Sequence, residues 1–311
     1  MKAFLLLLLS GTLAAGVFVT GKQAGNEQLA PLYILFWQMT GGALVVLAVS
    51  RFSSGSLRRL PVWDWQHLQY YLVGGLLGIS LPYVLAFIVM REFQVGTVGL
   101  LTALSPVITY GIARVLKMEQ GHPVKLIGLV LGLTGVTLLV MPNGISEPGM
   151  ANDGDWRYTL LGLGIPASLA ASNLYRSHYW PQGSDAMQLA IGMLSVQGLA
   201  LLLINAATGN LDISMLANRD AVFTLALLSL FAGASYLSTF YLLREGGPVY
   251  LSQMGYVISV VTMLAGIMLW SESYDGKDLF SMGLIFVGVL MTTVIRSMEQ
   301  SRQAALAMSS Q

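Results

Sequence analysis

Tyr83-Val-Leu-Ala-Phe87-Ile-Val-Met-Arg91-Glu92 returns later in the chain as Tyr236-Leu-Ser-Thr-Phe240-Tyr-Leu-Leu-Arg244-Glu245. The offset is 153 residues, and the same register, without a gap, matches Leu8 with Leu161, Gly11 with Gly164, and Leu72 with Leu225. It also matches Val107 with Val260, Thr109 with Thr262 and Glu119 with Glu272; two extra residues then align Gly128 with Gly283. An internal repeat of this length makes each copy a structural unit, so the fold turns on what one copy contains.

Each copy contains five apolar stretches. They fall near 3–21, 31–50, 67–90, 93–116 and 124–141, then 157–177, 186–207, 220–243, 247–270 and 279–296. A membrane-spanning helix needs roughly 20 mostly apolar residues. Composition agrees: 55% of the 311 residues are hydrophobic and 10% are charged, against roughly 25% charged in a soluble domain. The expected fold is therefore an all-α integral membrane protein with ten transmembrane helices. An odd number of spans per copy makes the second copy enter the bilayer from the opposite side, which gives two inverted five-helix repeats. The expected divisions are 1–142, 156–297 and a cytoplasmic tail, 298–311.

Basic residues favour the cytoplasmic side. Eleven of them, including Lys2, Arg51, Arg58, Arg114, Arg176 and Arg244, fall on one face, and five (Lys22, Arg91, Arg157, Arg219, Lys277) on the other. Both termini are thus expected in the cytoplasm, with a bacterial-type plasma (inner) membrane as the location. Met1 to Thr20 has the charge and apolar core of a leader, but no convincing cleavage site follows, so it is expected to stay as the first span.

Several function classes drop out. A net charge of +1 argues against a nucleic-acid surface, and the absence of cysteine removes disulfides, thiolate metal sites and cysteine nucleophiles. Gly16-Val-Phe-Val-Thr-Gly-Lys-Gln23 nearly spells a phosphate loop, but Gln23 stands where Ser or Thr is needed and a helix precedes it instead of a strand. His67, His122 and His178 form no ligand cluster, and no paired acids or Ser/His pair mark a protease. No cofactor, metal or enzymatic activity is expected. The expected partners are the lipid bilayer and a small-molecule substrate.

Leu101-Thr-Ala-Leu-Ser-Pro-Val107 leads to Lys117-Met-Glu119 and then to Ile127-Gly-Leu-Val-Leu-Gly-Leu-Thr-Gly-Val136. In the second half, Phe240-Tyr-Leu-Leu-Arg-Glu-Gly-Gly247 leads to Trp270-Ser-Glu272 and Met282-Gly-Leu-Ile-Phe-Val-Gly288. With these segments the chain resembles the drug/metabolite transporter superfamily, specifically the ten-helix exporters built from two EamA-type units. The resemblance implies a basket in which helices one, three, four, six, eight and nine surround a central cavity, while the fifth and tenth are scaffold. Gly128-x3-Gly132 on the fifth suits a close helix approach. The family's Trp-Gly-type element midway along the first helix is replaced here by Ala14-Ala15, and the repeat partner of Pro106 is Ser259.

Polar groups within apolar spans are costly unless they line a cavity or pair internally. The fourth helix offers Thr102, Ser105, Thr109 and Tyr110; the ninth offers Gln253, Tyr256 and Ser259 at three-residue spacing. Tyr83, Phe87, Tyr236, Phe240 and Tyr241 supply aromatic surface on the third and eighth. Lys22 and Arg176 stand near opposite mouths under the repeat, and Asn173 lies one turn from Arg176. Either cation can attract a carboxylate or reach out to lipid headgroups. Candidate substrate-binding residues are Lys22, Tyr83, Thr102, Ser105, Tyr110, Asn173, Arg176, Tyr236, Phe240, Gln253 and Tyr256. No acid falls at the centre of a span, so the usual carboxylate for proton coupling is missing. The expected activity is secondary or facilitative transport that exports small metabolites, such as amino acids or related toxic compounds, by alternating access. A nonselective channel and a non-transporting scaffold are the alternatives.

Overall fold

The computed structural model describes residues 2–52, 60–118, 123–140, 156–211, 217–273 and most of 275–291. The described residues are helical apart from short turns. The first copy holds α1 (Lys2–Asn26), α2 (Pro31–Phe52), α3 (Trp65–Gly75), a π-turn (Leu76–Ser80), α4 (Leu81–Val89), α5 (Val95–Thr102), α6 (Ser105–Val115) and α7 (Pro123–Val140). The second holds α8 (Trp156–His178), α9 (Ala186–Thr208), α10 (Arg219–Ser252) and α11 (Met254–Trp270), followed by an apolar helical stretch, Leu279–Gly288.

Six stretches are long and apolar enough to cross a membrane: α1, α2, Trp65–Val89, Val95–Val115, α9 and α10. α11, Leu126–Gly135 and Leu279–Gly288 are apolar but shorter. α8 is not among the six, because Arg157, Asn173 and Arg176 dilute its apolar run. Large side chains on the outside of the bundle are apolar, with Met268 81%, Phe223 65% and Leu203 63% exposed. A soluble protein would bury these; here they suit contact with lipid.

Helix ends follow local chemistry. Asp64 caps α3 by accepting from the backbone N–H of His67, and Asp185 and Gln188 form a reciprocal capping box on α9. Gly209, left-handed at φ 69°, ends α9. α10 contains one non-helical residue, Gly247 (φ 71°), so the eighth and ninth spans meet there with Pro248 starting the next turn. Pro82 lacks an N–H and follows the π-turn, while the fourth span breaks at Ala103–Leu104, just ahead of Pro106. The ninth span breaks at the corresponding depth, at Gln253, with no proline to force it.

The two copies pack with a common pattern. α1 lies on α10 as α4 lies on α8, and α2 lies on α10 as α3 lies on α9. Repeat-equivalent helices also meet directly. Asn205 donates to the Leu32 carbonyl at 3.1 Å while Gly198 abuts Thr40, so residue numbers rise along α2 and fall along α9. Thr102 donates to the Gly255 carbonyl at 3.2 Å and Ser259 to the Gly99 carbonyl at 3.0 Å, so α5 and α11 are likewise antiparallel. Thr102 and Gly255 are 153 positions apart, the repeat offset itself. Tyr83 and Tyr236 share that separation, and their hydroxyls also approach each other. A residue that touches its own counterpart lies on the two-fold relating the halves. Gly128 and Gly132 receive Gly288 of the last helical stretch against their backbone, the close approach that their spacing suggests.

Candidate functional site

The two-fold passes through a small cavity of about 60 Å³ lined mostly by buried side chains. Ala14 and Phe18 come from α1, Gly78, Pro82 and Tyr83 from the third span, and Thr102 and Ser105 from the two sides of the break in the fourth. Leu169, Asn173 and Arg176 come from α8, Ser235, Tyr236 and Thr239 from α10 before Gly247, and Leu251, Ser252, Met254, Gly255 and Ile258 from the ninth span. These elements are the ones that the sequence reading numbers as spans one, three, four, six, eight and nine. No acidic side chain is among them. The volume admits a few waters.

Arg176 dominates the site. It sits two residues before the end of α8 yet is only 3% exposed. Helical side chains lean toward the N-terminus, so an Arg at this end is turned inward along the span rather than outward to headgroups. Gly74 and Gly78 give it a channel: a Cβ at position 74 would stand 3.2 Å from its Cγ, and one at 78 would stand 3.6 Å from its Cζ. Nη2 donates to Asn173 Oδ1 at 2.9 Å, and the guanidinium lies 5.5 Å from the centre of the Phe240 ring. Trp180 holds that ring edge-on. Nε and Nη1 are buried with no acceptor among the described residues. Arginine keeps its proton in proteins, so this is a permanent cation with no carboxylate partner among the described residues.

The hydroxyls of Tyr236 and Ser105 are also buried without a hydrogen-bond partner among the described residues. Tyr83 and Tyr236 face each other too loosely for a hydrogen bond, and Phe18 stacks on Tyr83 with centroids 5.1 Å apart. Ser168 and Ser172 donate to the carbonyls of Leu77 and Gly74, which the π-turn leaves accessible.

Of the eleven candidates, the cavity gathers Tyr83, Thr102, Ser105, Asn173, Arg176 and Tyr236. Phe240 stands behind it, under the Arg176 guanidinium. Tyr110 packs instead with Ala113, Leu129, Leu174 and Val249, on the far side of α6. Tyr256 packs with Leu100 and Ala103, on a different face of α11 from the lining residues Gly255 and Ile258. Gln253 stands at the position just before α11, and its backbone N–H bonds to the Tyr250 carbonyl. The hydroxyl row of the fourth and ninth spans acts chiefly as glue: Ser259 bridges α11 to α5, and Thr262 bonds back within its own helix.

Lys22 is placed differently from the expectation of a substrate contact. Its Nζ lies 2.7 Å from Glu272 Oε1 and 5.1 Å from the centre of the Trp270 ring. Glu272 also accepts from the Val95 N–H at the start of α5. Ser271, left-handed at φ 53°, ends α11 and turns the chain so that Glu272 reaches both groups. A mostly buried ion pair thus ties together the ends of α1 and α11 and the start of α5. A wider depression of about 440 Å³ lies beside it, bordered by Lys22, Gln28, Phe87 and Arg91. Sequence reasoning had both partners at helix ends and missed their pairing; the match of Glu272 with Glu119 was the available signal.

A second group also escaped the sequence. His67 Nδ1 lies 2.7 Å from Asp64 Oδ1, and its Nε2 lies 2.8 Å from Ser184 Oγ. A serine–histidine pair is therefore present, contrary to the reading of the sequence. Asp64 is at the same time the N-cap of α3, so the group fastens the start of α3 to the turn between α8 and α9. The backbone N–H of His67 and its ring hold the Asp64 carboxyl below the usual carboxylate range. Among the described residues no three potential metal ligands converge, and His122 lies outside them.

Comparison with known proteins agrees with this architecture. A solved crystal structure of a protein superposes with a TM-score of 0.68 at 18% identity, covering 94% of this chain and 97% of its own, which bears on the fold alone. Protein PecM of Dickeya dadantii (strain 3937) is 25% identical over 239 residues, 75% of this chain and 76% of its own length. The model of the EamA-like transporter family matches twice, over residues 1–141 and 156–294. With both halves matched, the chain belongs to the EamA-like transporter family, and it is a membrane transporter of the drug/metabolite type.

Proposed function

We propose that this transporter crosses the membrane ten times, as two inverted five-helix units (1–142 and 156–297) followed by a cytoplasmic tail (298–311), and exports small metabolites by alternating access. Amino acids and related toxic compounds are the leading solutes. The setting is a bacterial-type plasma (inner) membrane with both termini in the cytoplasm. The observation that carries this reading is the small, Arg176-bearing cavity on the axis between two antiparallel copies. Rocking one copy against the other about that axis opens the cavity first to one side and then to the other.

The Lys22–Glu272 pair supports the same reading, because it ties together the ends of α1 and α11 and the start of α5 with a contact that can break and re-form. A cavity of about 60 Å³ is too small for a continuous pore, which speaks against a nonselective channel. Without an acidic side chain in the lining, the chemistry favours facilitated or solute-coupled movement over a carboxylate proton relay. The test is uptake of a panel of labelled amino acids, organic acids and organic cations into liposomes containing the purified protein. Saturable flux of at least one solute is expected; substrate-independent leak, or no flux across the panel, overturns the proposal.

A further inference from the structure

We propose that the solute in the axial cavity is a monoanionic organic acid whose carboxylate docks on Arg176. This rests on the transport reading only for how the ligand arrives, and it ranks simple organic acids ahead of the amino acids named there; the binding chemistry comes from the cavity itself. Arg176 Nε and Nη1 have no acceptor among the described residues, and the buried hydroxyls of Tyr236 and Ser105 are unused as donors. All three side chains line the same cavity. Guanidinium nitrogens only donate, and each hydroxyl has a proton to give. The site therefore has a surplus of donors and no acidic acceptor.

Charge sets the ligand class. An unpaired cation held away from water is strongly unfavourable, and a bound anion removes that cost while gaining charge-assisted hydrogen bonds. One guanidinium balances one negative charge. A dianion such as a dicarboxylate or hydrogen phosphate would leave a charge uncompensated. An amine would add a second cation beside Arg176. A zwitterionic amino acid falls between, since its ammonium finds aromatic faces and hydroxyls but no carboxylate. Phe18, Leu169, Leu251, Met254 and Ile258 give the remaining wall an apolar character, so the body of the acid is apolar. The cavity of about 60 Å³ has room for a carboxyl head, and the body requires the halves to part.

The experiment uses the full chain in detergent micelles and reads its melting temperature against added benzoate and hexanoate. Benzamide, hexylamine, phenylalanine and inorganic phosphate are the comparison arms. The acids are expected to raise the melting temperature with saturation, phenylalanine to act more weakly, and the amide, amine and phosphate to have no effect at the same concentration. Arg176→Gln is expected to weaken the acid response about 100-fold or more, as for loss of one partner of a buried charge pair. Arg176→Lys keeps the charge and restores part of it, and both variants are checked for an unchanged helical spectrum. Equal stabilisation by hexylamine or benzamide, stabilisation by phosphate that matches benzoate, or an Arg176→Gln response equal to that of the unsubstituted protein overturns the proposal. The transport reading is scored separately. Acid binding without flux in liposomes removes the transporter proposal and leaves the carboxylate site, whereas flux of cations without acid binding does the reverse.

Discussion

Replacing Gly255 by alanine would put a methyl carbon 2.3 Å from the Thr102 carbonyl oxygen and 2.8 Å from its carbon. Ordinary contact begins near 3.4 Å, and the obstacle is backbone, so α5 and α11 must separate by about 1 Å. Overpacking of this kind costs about 1–3 kcal/mol. The parting also stretches the bond from Thr102 Oγ1 to the Gly255 carbonyl, already 3.2 Å, at about 1 kcal/mol. Alanine returns about 1 kcal/mol through helix propensity. The net loss is about 1–3 kcal/mol by these magnitudes. Gly111→Ala is the internal control, since nothing lies within 4 Å of a Cβ there and the residue is exposed in the middle of α6. Thermal unfolding of both purified variants in the same detergent should show Gly255→Ala melting several degrees lower and Gly111→Ala no lower than the parent. A Gly255→Ala protein as stable as Gly111→Ala would refute the claim that backbone contact at the two-fold holds these helices together.

Three further substitutions test other parts of the structure. Lys22→Gln breaks a pair whose side chains are 15% and 5% exposed, and removing one partner of a buried pair costs about 3–5 kcal/mol. The chain has no cysteine, so labelling of Ser235→Cys by an impermeant maleimide outside spheroplasts is clean; Lys22→Gln should raise its rate about tenfold or more, and an unchanged rate would remove Glu272 from the closure. Gly78→Ala puts a methyl group 2.2 Å from Ser172 Oγ and crowds the Arg176 guanidinium. It should weaken benzoate binding about tenfold, equivalent to roughly one hydrogen bond, while the helical spectrum is retained; unaltered affinity would show that the groove does not position Arg176. The Asp64 carboxyl has a depressed pKa in the folded state, so its contribution is complete at neutral pH and fades only as acid protonates it, below about pH 4. Asp64→Asn should flatten the acid end of the stability–pH curve, and a steeper slope would contradict the capping role.

Much of the architecture was legible because it depends on composition and period. The Tyr-Phe-Arg-Glu cluster placed the two copies in a register that Thr102 and Gly255 then obey in space. Arg176 and Asn173 stood out because a charge and an amide inside apolar helices need partners. What the sequence left hidden was direction. Placing Arg176 near a mouth followed from its position along α8, while the lean of its side chain and the channel at Gly74 and Gly78 bring the guanidinium to the centre. Tyr110 and Tyr256 share the continuous helices α6 and α11 with the lining residues Ser105, Gly255 and Ile258 but fall on other faces of them. A three-residue spacing picks out a shared face without saying which face meets the cavity. Six stretches meet the length and apolarity of a span, while α8 does not because polar residues such as Asn173 and Arg176 dilute its run, and α11 does not because the break at Gln253 shortens it.

The self-contacts at Thr102–Gly255 and Tyr83–Tyr236 have a bearing on motion. If the copies trade shapes, every contact away from the axis is replaced by its mirror in numbering, with 153 added to one partner and subtracted from the other. A contact between counterparts maps onto itself. These pairs then act as the fulcrum: two spin labels placed there would report a fixed distance throughout turnover, while labels elsewhere would alternate between two.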